Sequence, residues 1–162
     1  MNSGRRTASE FGALHAFLPA VLVLGGEVDR ARRLQASCFR MWRLRGIEPE
    51  VIDYRTMAVR SAGYPLRPEI MESAWYLRRA TGDPAYLTMG KVFLDGLLAY
   101  TRTDDAFTVL TSVESMAKGD LMPSYFLAET LKYLYLMFAP DDAIELDRVV
   151  FTTEAHPLRR TW

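Results

Sequence analysis

This sequence has only one cysteine, no long apolar run and no excess of charge of one sign. The one cysteine among 162 residues, Cys38, excludes a disulfide within the chain. No run approaches 18 consecutive apolar residues, which excludes a transmembrane helix in this sequence. Lysine plus arginine number 20, as do aspartate plus glutamate, so the net charge is zero. Nucleic acid is therefore not an expected partner.

The first ten residues also lack the apolar core of a signal peptide. Two interpretations stay open: the protein is cytoplasmic, or its true start lies upstream. We predict a polar N-terminal tail over residues 1–10 and one folded domain over residues 11–162. Hydrophobic residues make up 49% and aromatic residues 12% of the chain, which is enough to build a core.

Apolar residues at helical spacing predict an all-α chain built from helical hairpins. Pro68 and Pro123 stand at the first positions of two helices, where a proline loses no hydrogen bond. A very short turn after residue 81 makes the second and third helices antiparallel neighbours. We predict a connecting loop over residues 47–64 and short strands at residues 107–110 and from residue 149. The predicted helices cover residues 30–45, 68–81, 84–100 and 123–138.

The sequence has no short cofactor or catalytic motif: no P-loop, no Gly-x-Gly-x-x-Gly, no His-Glu-x-x-His and no Cys-x-x-Cys. Its two histidines are far apart, so they predict no transition-metal site. The candidate functional groups are carboxylates. Glu69 and Glu72 occupy the first turn of a helix, where compensation of the helix dipole is the simplest interpretation.

Two further carboxylates stand in unusual places. Glu129 lies in the most apolar helix, which leaves two alternatives: a solvated helix face, or a buried and paired carboxylate of the kind that active sites use. Glu154 lies in a polar turn directly after an apolar strand. The aromatic residues near these positions are more often core than sugar-binding platforms.

Four segments carry a resemblance to a known family: YPLRPEIMES at residues 64–73, ATGDPAYL at 80–87, FLAETLKYLYL at 126–136 and FTTEAHP at 151–157. They occur in the same order in glycoside hydrolase family 47, the class I α-1,2-mannosidases. The resemblance covers about residues 11–157. It is closest to the branch of endoplasmic reticulum (ER) degradation-enhancing α-mannosidase-like proteins.

The resemblance implies a fold and a metal. The family fold is an (α/α)7 barrel of helical hairpins with Ca²⁺ at the base of a deep pocket. This chain would form its C-terminal part. Thr153 matches the residue that gives the calcium its direct protein ligands, through its hydroxyl and its carbonyl oxygen. Glu72 matches a carboxylate that orients the calcium-bound waters.

The resemblance also implies roles at the sugar. Glu69 matches the proposed general base, which an inverting glycosidase needs to activate water. Arg67 matches an arginine that holds charge and sugar hydroxyls, and Tyr125 an aromatic residue that packs under the mannose ring. Glu129 and Glu154 match carboxylates that orient the sugar or its waters.

The sequence departs from the family in several places. No segment matches the earlier hairpins that carry the general acid and a second catalytic carboxylate. Gly12 replaces a usual aspartate, Pro123 replaces an acidic residue, and Ala16 replaces the cysteine that pairs with Cys38 in processing-type members. With about three of seven hairpins present, we expect an isolated chain to expose apolar helix faces and to associate or dissolve poorly.

The expected function is calcium-dependent, inverting removal of terminal α-1,2-linked mannose from high-mannose N-glycans of misfolded glycoproteins. It would be located in the ER and the secretory pathway and would need the missing N-terminal part of the enzyme. The alternative is a catalytically inactive module that binds mannose-rich glycans in ER-associated degradation. A helical scaffold without a site is a third reading, but no repeat period supports it.

Overall fold

The structure is a computed structural model, and it describes residues 8–161. The helices are α1 (Leu18–Leu24), α2 (Val28–Arg43), α3 (Glu69–Thr81), α4 (Ala85–Tyr100) and α5 (Lys132–Phe138). The strands are β1 (Glu10–Gly12), β2 (Val51–Asp53), β3 (Ala58–Ser61), β4 (Leu110–Ser112), β5 (Ala117–Lys118), β6 (Val149–Phe151) and β7 (Pro157–Arg159). Residues 1–7, most of the predicted tail, lie outside the described part.

The predicted helical hairpin of α3 and α4 is confirmed. Gly82 ends α3 in the left-handed conformation, with φ of 66°, which favours glycine. Its amide donates to the carbonyl of Arg78. The side chain of Asp83 then accepts a hydrogen bond of 2.9 Å from the amide of Ala85 at the start of α4.

The connecting loop predicted for residues 47–64 is wrong, because this segment contains β2 and β3. They form an antiparallel sheet in the order β1-β2-β3. Helices make up the largest share of the structure, but the described residues also form seven short strands. The strand predicted from residue 149 is confirmed as β6, and β4 overlaps the end of the strand predicted at residues 107–110; the other five strands were not predicted. Strands of two to four residues are too short to show an alternating pattern in the sequence, and pairing of distant backbone groups stabilises them.

Two other boundaries differ from the predictions. The strand predicted at residues 107–110 begins only at Leu110, and Phe107 forms an isolated bridge to Arg102. The helix predicted over residues 123–138 is not α-helical throughout. Its first part, Phe126–Leu131, is π-helical, and α5 follows it. Hydrophobic spacing does not distinguish these two helix types.

Helix α3 lies at the centre of the core. It packs against α1, α2, α4 and α5. Trp75 is 1% exposed, and its ring contacts those of Tyr133 and Phe151 at centroid distances of 5.7 and 5.9 Å. Cys38 is buried, and burial raises the pKa of its thiol to about 12. The core therefore holds α3 in place.

Two helix faces expose large apolar side chains. One runs along the 3₁₀ turn at Ala13–Phe17 and α1, where Leu24 is 71% exposed. The other lies on α5, where Tyr135 is 68% and Phe138 is 48% exposed. Contiguous apolar surface of this kind marks an interaction site or an aggregation hazard.

We expect the isolated chain to self-associate through these faces, and sedimentation velocity over a concentration series measures this. Leu24→Gln should reduce the association, since it removes the most exposed apolar group of α1. Leu158→Gln, in β7 and outside both faces, is the matched control. A monodisperse monomer that melts cooperatively would contradict the prediction.

Candidate active site

One pocket of about 590 Å³ opens where four parts of the chain meet. These parts are α1 with the preceding 3₁₀ turn, the start of α3, the π-helical segment and the β6–β7 turn. All seven side chains that the sequence singled out line this pocket: Arg67, Glu69, Glu72, Tyr125, Glu129, Thr153 and Glu154. The tertiary structure thus brings together residues that span almost 90 positions of the sequence.

The approach to α3 is a strained turn held by side-chain hydrogen bonds. Leu66 is fully buried and has φ of 63°, which a leucine rarely adopts. The hydroxyl of Thr130 donates to the carbonyl of Leu66 at 2.7 Å, and that of Tyr125 donates to the carbonyl of Pro65 at 2.6 Å. Strain that the surroundings enforce in this way is a feature of functional sites.

Arg67 is held by Glu50, a residue that the sequence analysis missed. The two side chains make a bidentate contact: Nη2 of Arg67 lies 2.7 Å from Oε1 of Glu50, and Nε lies 3.2 Å from Oε2. Both are partly exposed, at 21% and 26%. The contact orients the guanidinium at the pocket wall. No local signal could have revealed it, because the partners are 17 residues apart.

Glu69 is the first residue of α3 and is half-buried at the pocket. Its Oε2 is buried and has no hydrogen-bond partner among the described residues. Burial raises the pKa of Glu69 to about 7, although its own backbone amide and the nearby Arg67 act in the opposite direction. A carboxyl group with a pKa near neutrality can take up and release protons under physiological conditions.

Glu72 lies one turn further along α3. Its Oε1 accepts a hydrogen bond of 3.1 Å from the hydroxyl of Tyr133 on α5. Burial raises the pKa of Glu72, and this hydrogen bond partly offsets the effect. The compensation of the helix dipole suggested by the sequence thus describes only part of its environment, since the side chain also faces the pocket.

The sequence left open whether Glu129 lies on a solvated helix face or is a buried and paired carboxylate. In the structure it is partly buried and lies beside another carboxyl group. Burial, followed by its hydrogen bond and repulsion with Glu154, raises the pKa of Glu129 to about 7. A hydrogen bond between two carboxyl groups requires that they hold a proton. Glu154 itself is exposed in the β6–β7 turn.

The β6–β7 turn presents Thr153 and Glu154 to the pocket. Ala155, fully buried with φ of 54°, closes the turn, and its carbonyl accepts a hydrogen bond of 2.7 Å from Nζ of Lys132. The hydroxyl of Thr152 accepts a bond of 3.1 Å from the amide of His156. The bond from Lys132 holds the turn against α5, and the bond between Thr152 and His156 stabilises the turn itself.

A family profile, described as glycosyl hydrolase family 47, matches residues 1–160. The chain belongs to this family. "Alpha-mannosidase I MNS5" of Arabidopsis thaliana is 39% identical over 162 residues, which is 98% of this chain and 28% of that protein. "ER degradation-enhancing alpha-mannosidase-like protein 3" of Homo sapiens is 39% identical over 150 residues, which is 90% of this chain and 16% of that protein.

A solved structure of the same family shows the same fold. This is the "alpha-1,2-mannosidase from Trichoderma reesei", with a TM-score of 0.84 and 28% sequence identity, and the match covers 98% of this chain and 40% of that one. The family 47 chain thus spans well under half the length of these relatives. None of the helices that the structure describes is long and apolar enough to cross a membrane.

The raised pKa of Glu69 predicts how the stability of this family 47 chain depends on pH. Because the folded chain holds the proton more tightly than the unfolded chain, this contribution is fully present below pH 4.5 and is lost as the pH rises through about 7. Over that window the unfolding equilibrium constant should rise up to about tenfold per pH unit for this one proton.

Denaturant unfolding at several pH values measures this dependence. Glu69→Gln should reduce the slope of the free energy of unfolding against pH by the contribution of one proton, since glutamine does not titrate. Glu10→Gln, at an exposed position in β1, is the matched control and should leave the slope unchanged. An unchanged slope in Glu69→Gln would contradict the prediction.

Proposed function

We propose that this chain is the C-terminal part of a calcium-dependent, inverting α-1,2-mannosidase domain. Its substrate would be the terminal α-1,2-linked mannose of high-mannose N-glycans. The observation that carries the proposal is one pocket that gathers an arginine, two tyrosines, two threonines and four carboxyl groups. Membership in family 47 and the names of the relatives support the substrate class.

The exposed apolar surface of this chain is where further hairpins of the proposed domain would pack. Helices α3 and α4 form an antiparallel hairpin, and we infer that such hairpins form the last members of an (α/α)7 barrel. The exposed apolar face of α1 borders the pocket, where Leu14, Phe17 and Val21 line the wall. Earlier hairpins of the full-length protein would cover this face and supply the general acid.

Glu69 would act as the general base. In an inverting glycosidase the base takes a proton from water as that water attacks the anomeric carbon from the face opposite the leaving group. A pKa of about 7 suits a base that must be ionised near neutral pH and still accept a proton. Arg67, oriented by Glu50, would hold sugar hydroxyls beside it, and the ring of Tyr125 would pack under the sugar.

The donor set suits Ca²⁺. Thr153 would hold the ion through its hydroxyl and carbonyl oxygens, and hard cations prefer oxygen donors. No three His, Cys, Asp or Glu side chains of the described residues are grouped to bind a metal directly. Glu72, Glu129 and Glu154 would therefore hold metal-bound waters. The bound ion would supply positive charge for the sugar hydroxyls, and it would also relieve the repulsion between Glu129 and Glu154.

The ER is the proposed location, because several relatives are described as ER degradation-enhancing α-mannosidase-like proteins. The proposed partners are misfolded glycoproteins that carry high-mannose glycans. A second candidate function is glycan binding without catalysis. The residues matched to the base and the sugar contacts line this pocket, whereas no segment of the sequence matches the family's general acid.

Proton NMR of the full-length protein with a high-mannose oligosaccharide tests both functions. Hydrolysis with inversion would release mannose first as the β-anomer, and removal of calcium with EDTA would stop the release. Glycan binding without any release would favour the binding module. Release of α-mannose first would overturn the inverting mechanism.

A further inference from the structure

Three consecutive carbonyl groups in the turn that leads into α3 each accept a hydrogen bond from a side-chain hydroxyl. The donors and acceptors are Tyr125 and Pro65 at 2.6 Å, Thr130 and Leu66 at 2.7 Å, and Tyr64 and Arg67 at 3.3 Å. We call residues 65–67 the Leu66 turn. It ends two residues before Glu69, so these bonds fix the backbone that delivers the carboxyl group of Glu69 to the pocket.

Two of the three donors come from the π-helical segment Phe126–Leu131 and the residue before it, Tyr125, which also has helical backbone angles. Backbone hydrogen bonds of a π-helix join residues five apart, so side chains at that spacing lie near each other, whereas an α-helix brings together residues three and four apart. Tyr125 and Thr130 are five apart, and their hydroxyls reach the neighbouring carbonyls of Pro65 and Leu66. A π-helical turn therefore fits this pair of contacts better than an α-helical turn.

The same segment also carries side chains of the pocket. Tyr125 and Glu129 line the pocket. Thr130 is 0% exposed, and it is not one of the lining residues. The hydroxyl of Thr130 lies in the interior, so it can influence chemistry in the pocket only through the backbone that it holds.

Leu66 is the residue of the turn that most needs such support. It is fully buried and has a positive φ of 63°. A leucine persists in this conformation only where the surrounding structure enforces it. Loss of the bond from Thr130 would leave a buried carbonyl without this donor, which is costly, and the turn could lower that cost by moving.

We propose that Thr130 is a positioning residue for Glu69, which it positions by holding the strained Leu66 turn against the π-helical segment. Tyr125 adds a second bond to the same turn, from the wall of the pocket. The two bonds would fix the carboxyl group of Glu69 relative to the side chains of Tyr125 and Glu129, because they join the segments that carry all three. The inference rests on the proposed role of Glu69 as the general base.

Thr130→Val in the full-length protein tests this role, because valine has nearly the same shape but no hydroxyl. We expect kcat for mannose release to fall about 10- to 100-fold, since a small misplacement of a catalytic group costs up to about 100-fold. Affinity for a high-mannose oligosaccharide should change little, because Arg67 is also held by Glu50. The stoichiometry of calorimetric titration counts the binding-competent molecules, so kcat refers to folded protein alone. Thr130→Ser keeps the hydroxyl and should restore kcat.

Thr101→Val is the matched control for a general loss of stability. Thr101 is also 0% exposed, and its hydroxyl donates to the carbonyl of Leu97 at 2.8 Å, at the end of α4 and outside the pocket. This variant loses a buried hydrogen bond of the same kind but leaves the Leu66 turn intact, so its kcat should equal that of the wild type. The proposal is overturned if Thr130→Val keeps the wild-type kcat, if Thr101→Val lowers kcat equally, or if Thr130→Ser fails to restore it.

Amide hydrogen exchange provides a measurement that does not depend on hydrolysis. The amides of Met71 and Glu72 donate to the carbonyl of Pro68 in the first turn of α3, at 2.9 and 3.0 Å. In Thr130→Val these two amides should exchange about five- to tenfold faster than in the wild type and in Thr101→Val, because one hydrogen bond that holds their turn is lost. Equal exchange in all three proteins would overturn the proposal.

The two measurements distinguish failure of this inference from failure of the proposed function. If Glu69→Gln leaves mannose release intact while exchange in Thr130→Val rises as expected, Thr130 holds the turn and the role of Glu69 as the base fails. If Glu69→Gln abolishes release while exchange and kcat are unchanged in Thr130→Val, Glu69 is the base and Thr130 does not position it.

Discussion

Glu69→Gln should lower kcat for mannose release by the full-length protein about 100- to 10,000-fold, the range that general base catalysis contributes. Glutamine has nearly the same shape but cannot accept a proton from water. Because the substitution preserves the pocket, the affinity for a high-mannose oligosaccharide should change little. Initial-rate kinetics and calorimetric titration with the oligosaccharide measure the two effects separately.

The matched control for this substitution is Glu114→Gln. Glu114 is exposed and lies outside the pocket, and its side chain makes a long surface contact of 3.6 Å to Arg45. Its replacement should leave both kcat and affinity unchanged, because exposed ion pairs contribute little. A Glu69→Gln variant that keeps wild-type kcat would remove Glu69 from the catalytic role.

Thr153→Ala should weaken calcium binding by at least about tenfold, since even outer-shell partners of a metal are worth 10- to 100-fold in affinity. The substitution removes the hydroxyl ligand and leaves the carbonyl. Thr153 is exposed in the β6–β7 turn, and its neighbours Thr152 and Ala155 make the hydrogen bonds that hold that turn. The turn itself should therefore persist.

Calorimetric titration of the full-length protein with calcium checks this prediction. Thr153→Ser, which keeps the hydroxyl, is the matched control and should bind calcium nearly as the wild type does. An equal dissociation constant in Thr153→Ala and the wild type would contradict the assignment of Thr153 as the direct ligand.

The long helices could be predicted from the sequence because their signals are local. Pro68 and Gly82 mark the ends of α3 within one residue, and Asp83 marks the entry to α4. The short strands β2 and β3 could not be predicted in the same way. Their stability comes from pairing with each other and with β1 rather than from a pattern within either strand.

The same distinction between predictable and unpredictable features applies to the candidate site. Its residues were named by resemblance, and the structure places them in one pocket, while their catalytic and metal-binding roles stay predictions. The contacts that orient them were not predictable: Glu50 on Arg67, Tyr133 on Glu72 and Thr130 on Leu66. Each pair is 17 to 64 residues apart, and no spacing rule connects residues at that distance.

The segment Arg67-Pro68-Glu69 shows most clearly what each source of information decides. The sequence by itself determined that a helix begins here with a carboxylate in its first turn, because proline and glutamate have local preferences for those positions. Only the tertiary structure decided that the carboxylate is half-buried, with a pKa of about 7. Burial and charge interactions depend on which distant side chains are packed around a group, and the fold alone sets that.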